Sequence, residues 1–159
     1  MVAWLTGSTA GKLLLTFLIS MVPVAELRFG IPYGVTLGLG YRLSALAAIL
    51  GNLFPVPIII IYVRRVFAWL RRKSARLDAW ISGMEAKAEH KGEQVRRYGS
   101  LGLILLVAIP LPGTGAWTGA LVAAVLGLRM RDALPAIILG VLIAAAVVLG
   151  LTYGVSTVF

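Results

Sequence analysis

Long apolar segments alternate with short polar ones along this chain, and the same order of segments occurs twice. In each half, an interrupted apolar segment (residues 13–39 and 101–128) precedes a short basic turn and an uninterrupted apolar segment (residues 43–63 and 133–155). Apolar runs of about 18 or more residues are typical of membrane-spanning helices. The pattern therefore predicts an all-α integral membrane protein with two similar halves.

An ungapped shift of 89 residues relates the two halves, which indicates an internal duplication. The shift places Pro23 on Pro112, Gly30 on Gly119 and Arg42 on Arg131. We therefore expect a single membrane domain over residues 1–159. Repeat one would occupy about 10–63, a polar linker 64–98, and repeat two about 99–155.

The interrupted segments carry their helix breakers near the middle, as PVAELRFGIP at 23–32 and PLPGTG at 110–115. Proline interrupts a helix, and irregular backbone at membrane depth is tolerated only inside protein or beside water. Each segment is either one kinked span or a re-entrant hairpin whose two half-helices reach only the midplane. In the hairpin, the tips would contain Pro23, Pro32, Pro110, Pro112, Gly113, Thr114, Gly115 and Trp117.

The distribution of positive charge favours the hairpins. Of 15 lysines and arginines, ten lie within residues 64–97, so the linker should be cytoplasmic. A hairpin plus one span crosses the membrane once, which inverts the second repeat and makes RMRD at 129–132 cytoplasmic as well. Two spans per repeat would make the repeats parallel and leave RMRD outside. We therefore expect two inverted repeats, each a re-entrant helical hairpin plus one transmembrane helix, joined by a basic amphipathic cytoplasmic helix.

The linker has apolar residues every three or four positions, which predicts an amphipathic helix lying in the membrane interface. These apolar positions are Val66, Leu70, Leu77, Trp80 or Ile81, and Met84. Its lipid-facing basic patch would consist of Arg64, Arg65, Arg71, Arg72, Lys73 and Arg76. A basic block beside a membrane span suits anionic lipid headgroups better than nucleic acid, so we expect no nucleic-acid partner.

Two charges, Glu26 and Arg28, lie inside the first breaker. A charge at the bilayer centre costs about 2.5–3.5 kcal/mol, so such residues normally face a cavity and find a partner. Residues two apart do not share a helix face, so they pair only on irregular backbone, or each finds a different partner. Glu26 could serve as a protonatable group and Arg28 as a clamp for an anion or phosphate. The alternative is an internal ion pair that only holds the tip.

The second breaker is uncharged. Gly115 and Trp117 occupy the positions of Glu26 and Arg28 after the 89-residue shift. The amides near Gly113, Thr114 and Gly115 lead into a half-helix, whose N-terminus would suit an oxyanion; the alternative is a tight packed turn. In the spanning segment, Asn52 either faces the cavity or bonds carbonyls freed by the prolines that follow.

Several classes of chemistry find no support in the sequence. Cysteine is absent, which excludes disulfides and thiolate metal sites, and the one histidine, His90, lies in the charged linker. No catalytic pair, metal cluster or cofactor motif is visible, so we expect neither an enzyme nor a bound cofactor or metal. Paired, broken apolar segments in corresponding positions are instead typical of a transporter's binding site.

The motifs PVAELRFGIPYG, LGN with its following prolines, and PLPGTGAWTGALVA resemble the family of small multidrug export proteins across essentially the whole chain. The resemblance implies export of small compounds and a distant relationship to the DedA superfamily, which includes flippases for lipids such as undecaprenyl phosphate. In that superfamily an acid and arginines on two re-entrant hairpins are considered functional. Glu26 and Arg28 look like the first-hairpin counterparts, whereas Trp117 stands near the place of the second hairpin's arginine.

We therefore expect a small polytopic transporter in a prokaryotic plasma membrane, surrounded by lipids that include anionic headgroups. Its substrate would be a small amphipathic compound, bound near Glu26 and Arg28, with Glu26 protonation as the coupling step. The alternatives are a DedA-like flippase for a lipid phosphate and a non-transporting membrane scaffold or assembly factor. Because one copy encloses little volume, we expect a homodimer.

Overall fold

The computed structural model describes residues 6–109, 111 and 113–158, with side chains up to residue 154. The predictions for Pro110 and Pro112 fall outside these residues. The described part is helical and contains no strand. From Thr9 onward the helices are α1 (Thr9–Met21), α2 (Glu26–Thr36), α3 (Tyr41–Leu53), α4 (Pro55–Arg71), α5 (Ala75–Tyr98), α6 (Ser100–Ala108), α7 (Ala116–Val125) and α8 (Met130–Val158).

Two apolar helices are long enough to cross a membrane. The first is formed by α3 and α4, which run together over the 31 residues Tyr41–Arg71, because Phe54 between them keeps helical backbone angles. The second lies within α8, over the 25 residues Met130–Gly154. A hydrocarbon core about 30 Å thick needs about 20 helical residues. The prediction of an all-α fold is therefore confirmed, and the two long apolar helices support a membrane protein.

Helices α1 and α2 fold back on each other across the break at residues 22–25. A β-carbon at Gly30 would touch Ser20, one at Gly34 would lie 2.9 Å from Oγ1 of Thr16, and one at Gly38 would lie 3.6 Å from Nζ of Lys12. Residue numbers in these contacts increase along α2 while those of their partners in α1 decrease. The two helices therefore form an antiparallel helical hairpin. The glycines allow this close approach.

One proline of the first breaker lies elsewhere than predicted. Pro32 was expected at the hairpin tip, but it lies inside α2, and Pro23 alone occupies the break. The prediction for Pro32 was therefore wrong. Proline removes a single helical hydrogen bond, here the one to the carbonyl of Arg28, and packing on both sides of α2 can hold such a helix together.

The second half repeats the same elements. Helices α6 and α7 flank a break that includes residues 109, 111 and 113–115. The end of α2 at Thr36 and the start of α3 at Tyr41 shift by 89 residues onto the end of α7 and the start of α8. A β-carbon at Gly119 of α7 would lie 2.5 Å from Val107 of α6. The element boundaries therefore follow the internal repeat.

The two long helices run in opposite directions. The rings of Tyr41, at the start of α3, and Tyr153, near the end of α8, have centroids 5.5 Å apart. At the other end, Nη1 of Arg64 in α4 would lie 3.8 Å from a β-carbon on Gly127, just before α8 begins. Contacts at both ends therefore make α3 and α4 antiparallel to α8.

The linker helix packs differently from the prediction. Residues 64–71 belong to α4, and α5 is a separate helix. Its buried face, formed by Ile81, Ala88, Gly92 and Val95, contacts α6 and α7, whereas Trp80 is 59% exposed. The amphipathic pattern is present, but these apolar residues cover protein. Of the alternatives Trp80 and Ile81, Ile81 is the buried one.

One residue of the predicted basic patch binds within the protein. The guanidinium of Arg71 donates to Asp78 at 3.1 Å and also to Glu85, both on α5. The other patch residues are exposed: Arg64, Arg65, Arg72, Lys73 and Arg76. Arg71 therefore anchors the turn between α4 and α5, and the lipid-facing role predicted for it is not supported.

Candidate functional site

The break after α1 lies against the break after α6, and Arg28 connects the two. From the first full turn of α2, its guanidinium donates to the carbonyls of Leu111 and Thr114, the latter at 2.9 Å, and to Oγ1 of Thr114 at 2.9 Å. A weaker contact of 3.5 Å reaches the carbonyl of Ile109. A planar fork of donors suits such a cluster of oxygens. Arg28 therefore holds the second break in shape.

Trp117 makes the reciprocal contact. Its indole Nε1 donates to the carbonyl of Met21, the last residue of α1, at 3.0 Å. Arg28 and Trp117 coincide after the 89-residue shift, and each donates to backbone carbonyls where the first helix of the other half ends. Two different side chains at corresponding positions thus perform the same task.

Glu26 is the first residue of α2 and is only 3% exposed. Its Oε1 accepts a hydrogen bond from the backbone N–H of Trp117, in the first turn of α7, at 3.3 Å. A β-carbon at Gly115 would lie 2.7 Å from the carboxyl carbon of Glu26. A helix N-terminus favours negative charge. The oxyanion site predicted at this half-helix is therefore filled by the protein's own carboxylate.

Glu26 and Arg28 do not pair with each other. The ion pairs found among the described residues do not include either of them. Each charge instead has its own partners on the second break, which was one of the two arrangements expected from their spacing. A carboxylate can accept about four hydrogen bonds, so Glu26 keeps free acceptor capacity while buried.

Two neighbouring cavities adjoin these residues. A cavity of about 500 Å³ is lined by Pro23, Val24, Glu26, Arg28, Phe29, Gly113, Thr114 and Thr118. A largely apolar cavity of about 310 Å³ is lined by Pro23, Ile59, Val63, Phe67, Met84, Trp117, Thr118 and Leu121. Pro23 and Thr118 belong to both walls. A charged recess and an apolar recess therefore lie side by side, which suits a molecule with a polar head and an apolar body.

A family model described as "Putative small multi-drug export protein" matches residues 26–147. The chain belongs to this family. The match begins at Glu26, so the multi-drug export family shares the region that contains Glu26, Arg28 and the second break. No curated protein and no solved structure matches the chain.

Asn52 of this multi-drug export family member lies level with Glu26. In the antiparallel pair of α2 and α3, Gly30 lies beside Ala48 and Gly34 beside Ser44, so the same register brings residue 52 opposite residue 26. Asn52 is 1% exposed, and its Oδ1 has no hydrogen-bond partner among the described residues. It therefore belongs to the interior around the acid, and not to the lipid-facing surface.

Sequence reasoning missed two contributors to the site. Lys91, in the linker helix α5, donates to the carbonyl of Gly113 in the second break. The backbone N–H of Trp117 holds Glu26. Neither contact has a local sequence signal, because a lysine in a charged linker and a backbone amide are both common features. No group of metal-ligating side chains occurs within the described residues.

Proposed function

We propose that this protein exports small amphipathic cations across the membrane, with Glu26 as their counter-charge. One observation carries the proposal. Among the described residues the buried carboxyl group of Glu26 has a single long hydrogen bond and no ion pair, and it lies at the wall of a cavity that adjoins a largely apolar one. The charged form of a carboxyl group in a low-dielectric site attracts a cation strongly. The apolar cavity beside it would receive the rest of the molecule.

The proposed topology places the two breaks at the middle of a prokaryotic plasma membrane, as the tips of two re-entrant hairpins in inverted repeats. Support comes from the antiparallel packing of α1 and α2, the opposite directions of the two long helices, and the reciprocal contacts of Arg28 and Trp117. The linker helix α5 would then be cytoplasmic. Assembly as a homodimer is part of the same proposal.

The proposed mechanism uses competition for one carboxylate. While Glu26 is charged and no cation is bound to it, it accepts a hydrogen bond from the N-terminus of α7 and holds the two tips together. A cation that binds Glu26, or a proton that neutralises it, weakens this contact, because a helix N-terminus attracts negative charge. Glu26 would bind a proton and a cation in turn, and the cavity would open to opposite faces of the membrane in the two states. The protein would thereby exchange protons for substrate cations.

A lipid phosphate is the alternative substrate, and the contacts of Arg28 argue against it. The terminal nitrogens of Arg28 already donate hydrogen bonds to carbonyls of the second break. A phosphate would have to displace these carbonyls, and the second break would then lose the side chain that holds it. A scaffold without transport activity is the remaining alternative, and it predicts that neutral replacements of both charges have no effect.

We expect Glu26→Gln to abolish cation transport. Purified protein in vesicles that are acidic inside should accelerate the uptake of ethidium, a planar amphipathic cation, over protein-free vesicles. The glutamine can still accept from Trp117 but carries no charge, so uptake should fall to the protein-free level. Glu93→Gln, at a side chain 72% exposed, is the matched control and should transport normally. Undiminished uptake by Glu26→Gln would contradict the proposal.

Single cysteines can test the topology, because the natural chain contains none. We expect Gly40→Cys to react with a membrane-impermeant maleimide only from outside, and Arg129→Cys only from the cytoplasmic side. Position 40 has open space around it and Arg129 is exposed, so both should be accessible. Gly83→Cys in α5 serves as the cytoplasmic reference. Labelling of Arg129→Cys from outside alone would contradict the inverted arrangement.

A further inference from the structure

Buried polar side chains are concentrated in the first half of the chain. Within the described residues they are Thr16, Ser20, Glu26, Ser44 and Asn52, each at most 3% exposed. The corresponding positions of the second half carry Leu105, Ile109, Gly115, Ala133 and Val141. Close packing of the helices alone therefore does not require these polar groups. We call Thr16, Ser20, Ser44 and Asn52 the polar row.

The polar row descends in three levels along α2. At the first level, a β-carbon at Gly34 would lie 2.7 Å from Oγ of Ser44 and 2.9 Å from Oγ1 of Thr16, so the two hydroxyls flank the same glycine. One turn further, a β-carbon at Gly30 would touch the hydroxyl of Ser20. One more turn brings Asn52 level with Glu26.

Two members of the polar row are left without partners. Oγ of Ser44 and Oδ1 of Asn52 are buried and make no hydrogen bond within the part of the chain that the structure describes. The hydroxyls of Thr16 and Ser20 each donate to a carbonyl of their own helix at 2.8 Å and keep their lone pairs free. Buried polar groups are almost always satisfied by protein or by water. Oxygens at two of the three levels therefore require water as their partner.

We infer that the polar row lines a hydrated path that carries protons between Glu26 and the C-terminal end of α2, where Lys12 of α1 lies. This inference rests on the proposed function, in which Glu26 exchanges a proton for a cation. Successive levels are four residues, or about 6 Å, apart along α2, which two waters in a chain of hydrogen bonds can bridge. A proton enters from bulk water, shifts along these hydrogen bonds, and ends on a carboxylate oxygen of Glu26 as a carboxylic acid. The reverse sequence releases it.

The charges around the path favour protons over metal cations. On α2 itself, Arg28 is directed at the second break and Tyr33 is partly exposed. The other titratable groups on helices packed against α2 lie at helix ends: Lys12 on α1, Tyr41 and Arg42 on α3, and Arg131, Asp132 and Tyr153 on α8; α7 has none. Nζ of Lys12 lies near Gly38, at the mouth of the path. A fixed positive charge there repels metal ions, whereas protons pass by exchange between water molecules.

The test is the rate at which Glu26 takes up a proton. Infrared difference spectra after a pH jump show the carboxyl band of Glu26, which is assigned by its loss in Glu26→Gln. We expect Thr16→Val and Ser44→Ala to slow this rate by about tenfold or more, since each removes one link of the relay. Thr16→Ser should restore it. Thr152→Val is the control, because its hydroxyl also donates to its own helix at 2.8 Å but lies outside the path.

A second measurement separates this inference from the proposed function. Exchange of ethidium between the inside and the outside of the vesicles, at equal pH on both sides, requires cation binding but no net proton movement. Path variants should keep this exchange and lose uptake driven by a pH gradient. An unchanged protonation rate in Thr16→Val and Ser44→Ala would overturn the path even if ethidium is transported. Uptake driven by a sodium gradient in place of a pH gradient would overturn it as well. Absence of ethidium exchange in the wild type would instead refute the proposed function.

Discussion

Gly115→Ala should destabilise the protein by about 3 kcal/mol and eliminate transport. Gly115 has φ +120° and ψ −169°, a conformation that side chains make costly by about 1–3 kcal/mol. Its β-carbon would also lie 2.7 Å from the carboxyl carbon of Glu26. Either the carboxylate moves away from α7 or the two breaks separate, and both outcomes disrupt the proposed site. The measurement is the fraction folded during titration with a denaturing detergent.

Two comparisons make this result specific. Gly83→Ala, in α5 where a β-carbon meets nothing within 4 Å, should leave stability unchanged or raise it slightly. Adding Glu26→Ala to Gly115→Ala should recover part of the loss, because it removes the clash but not the backbone strain; such coupling is expected only for residues in contact. A Gly115→Ala protein as stable as the wild type would show that Glu26 does not contact this turn.

Arg28→Ala should cost about 3 kcal/mol of stability. Hydrogen bonds to charged groups contribute about 1.5–3 kcal/mol, and the substitution leaves carbonyls of Leu111 and Thr114 without their donor. Arg28→Lys should recover only part of the loss, because a single ammonium cannot replace the planar fork. The same detergent titration measures both variants, and Arg129→Ala, at an exposed arginine, is the control.

This experiment also separates the two substrate classes. If Arg28 serves mainly to bind a phosphate, Arg28→Ala should keep wild-type stability and lose only the binding of a polyprenyl phosphate. If it holds the second break, stability falls whether or not such a lipid is present. Equal stability of Arg28→Ala and the wild type would therefore favour the lipid-phosphate alternative over the cation exporter.

The sequence by itself determined the helical class, the two long apolar helices and the positions of both breaks to within a few residues. These features depend on local physics, because the length of an apolar run, the missing amide of proline and the small size of glycine act on neighbouring residues. The 89-residue shift also anticipated the repeated order of elements. Pro32 marks the limit of such reasoning: it looks like a breaker, yet packing holds it inside α2.

Only the tertiary structure decided what each polar group contacts. The pairing of Glu26 with the amide of Trp117, and of Arg28 with the second break, joins residues more than 80 positions apart in the chain. The direction of the apolar face of α5, and the alignment of Ser44 with Thr16, likewise depend on how helices are placed against one another. A hydrophobic pattern specifies that a face is buried, but any apolar surface satisfies it. The specific partner of a buried charge is therefore fixed by three-dimensional packing.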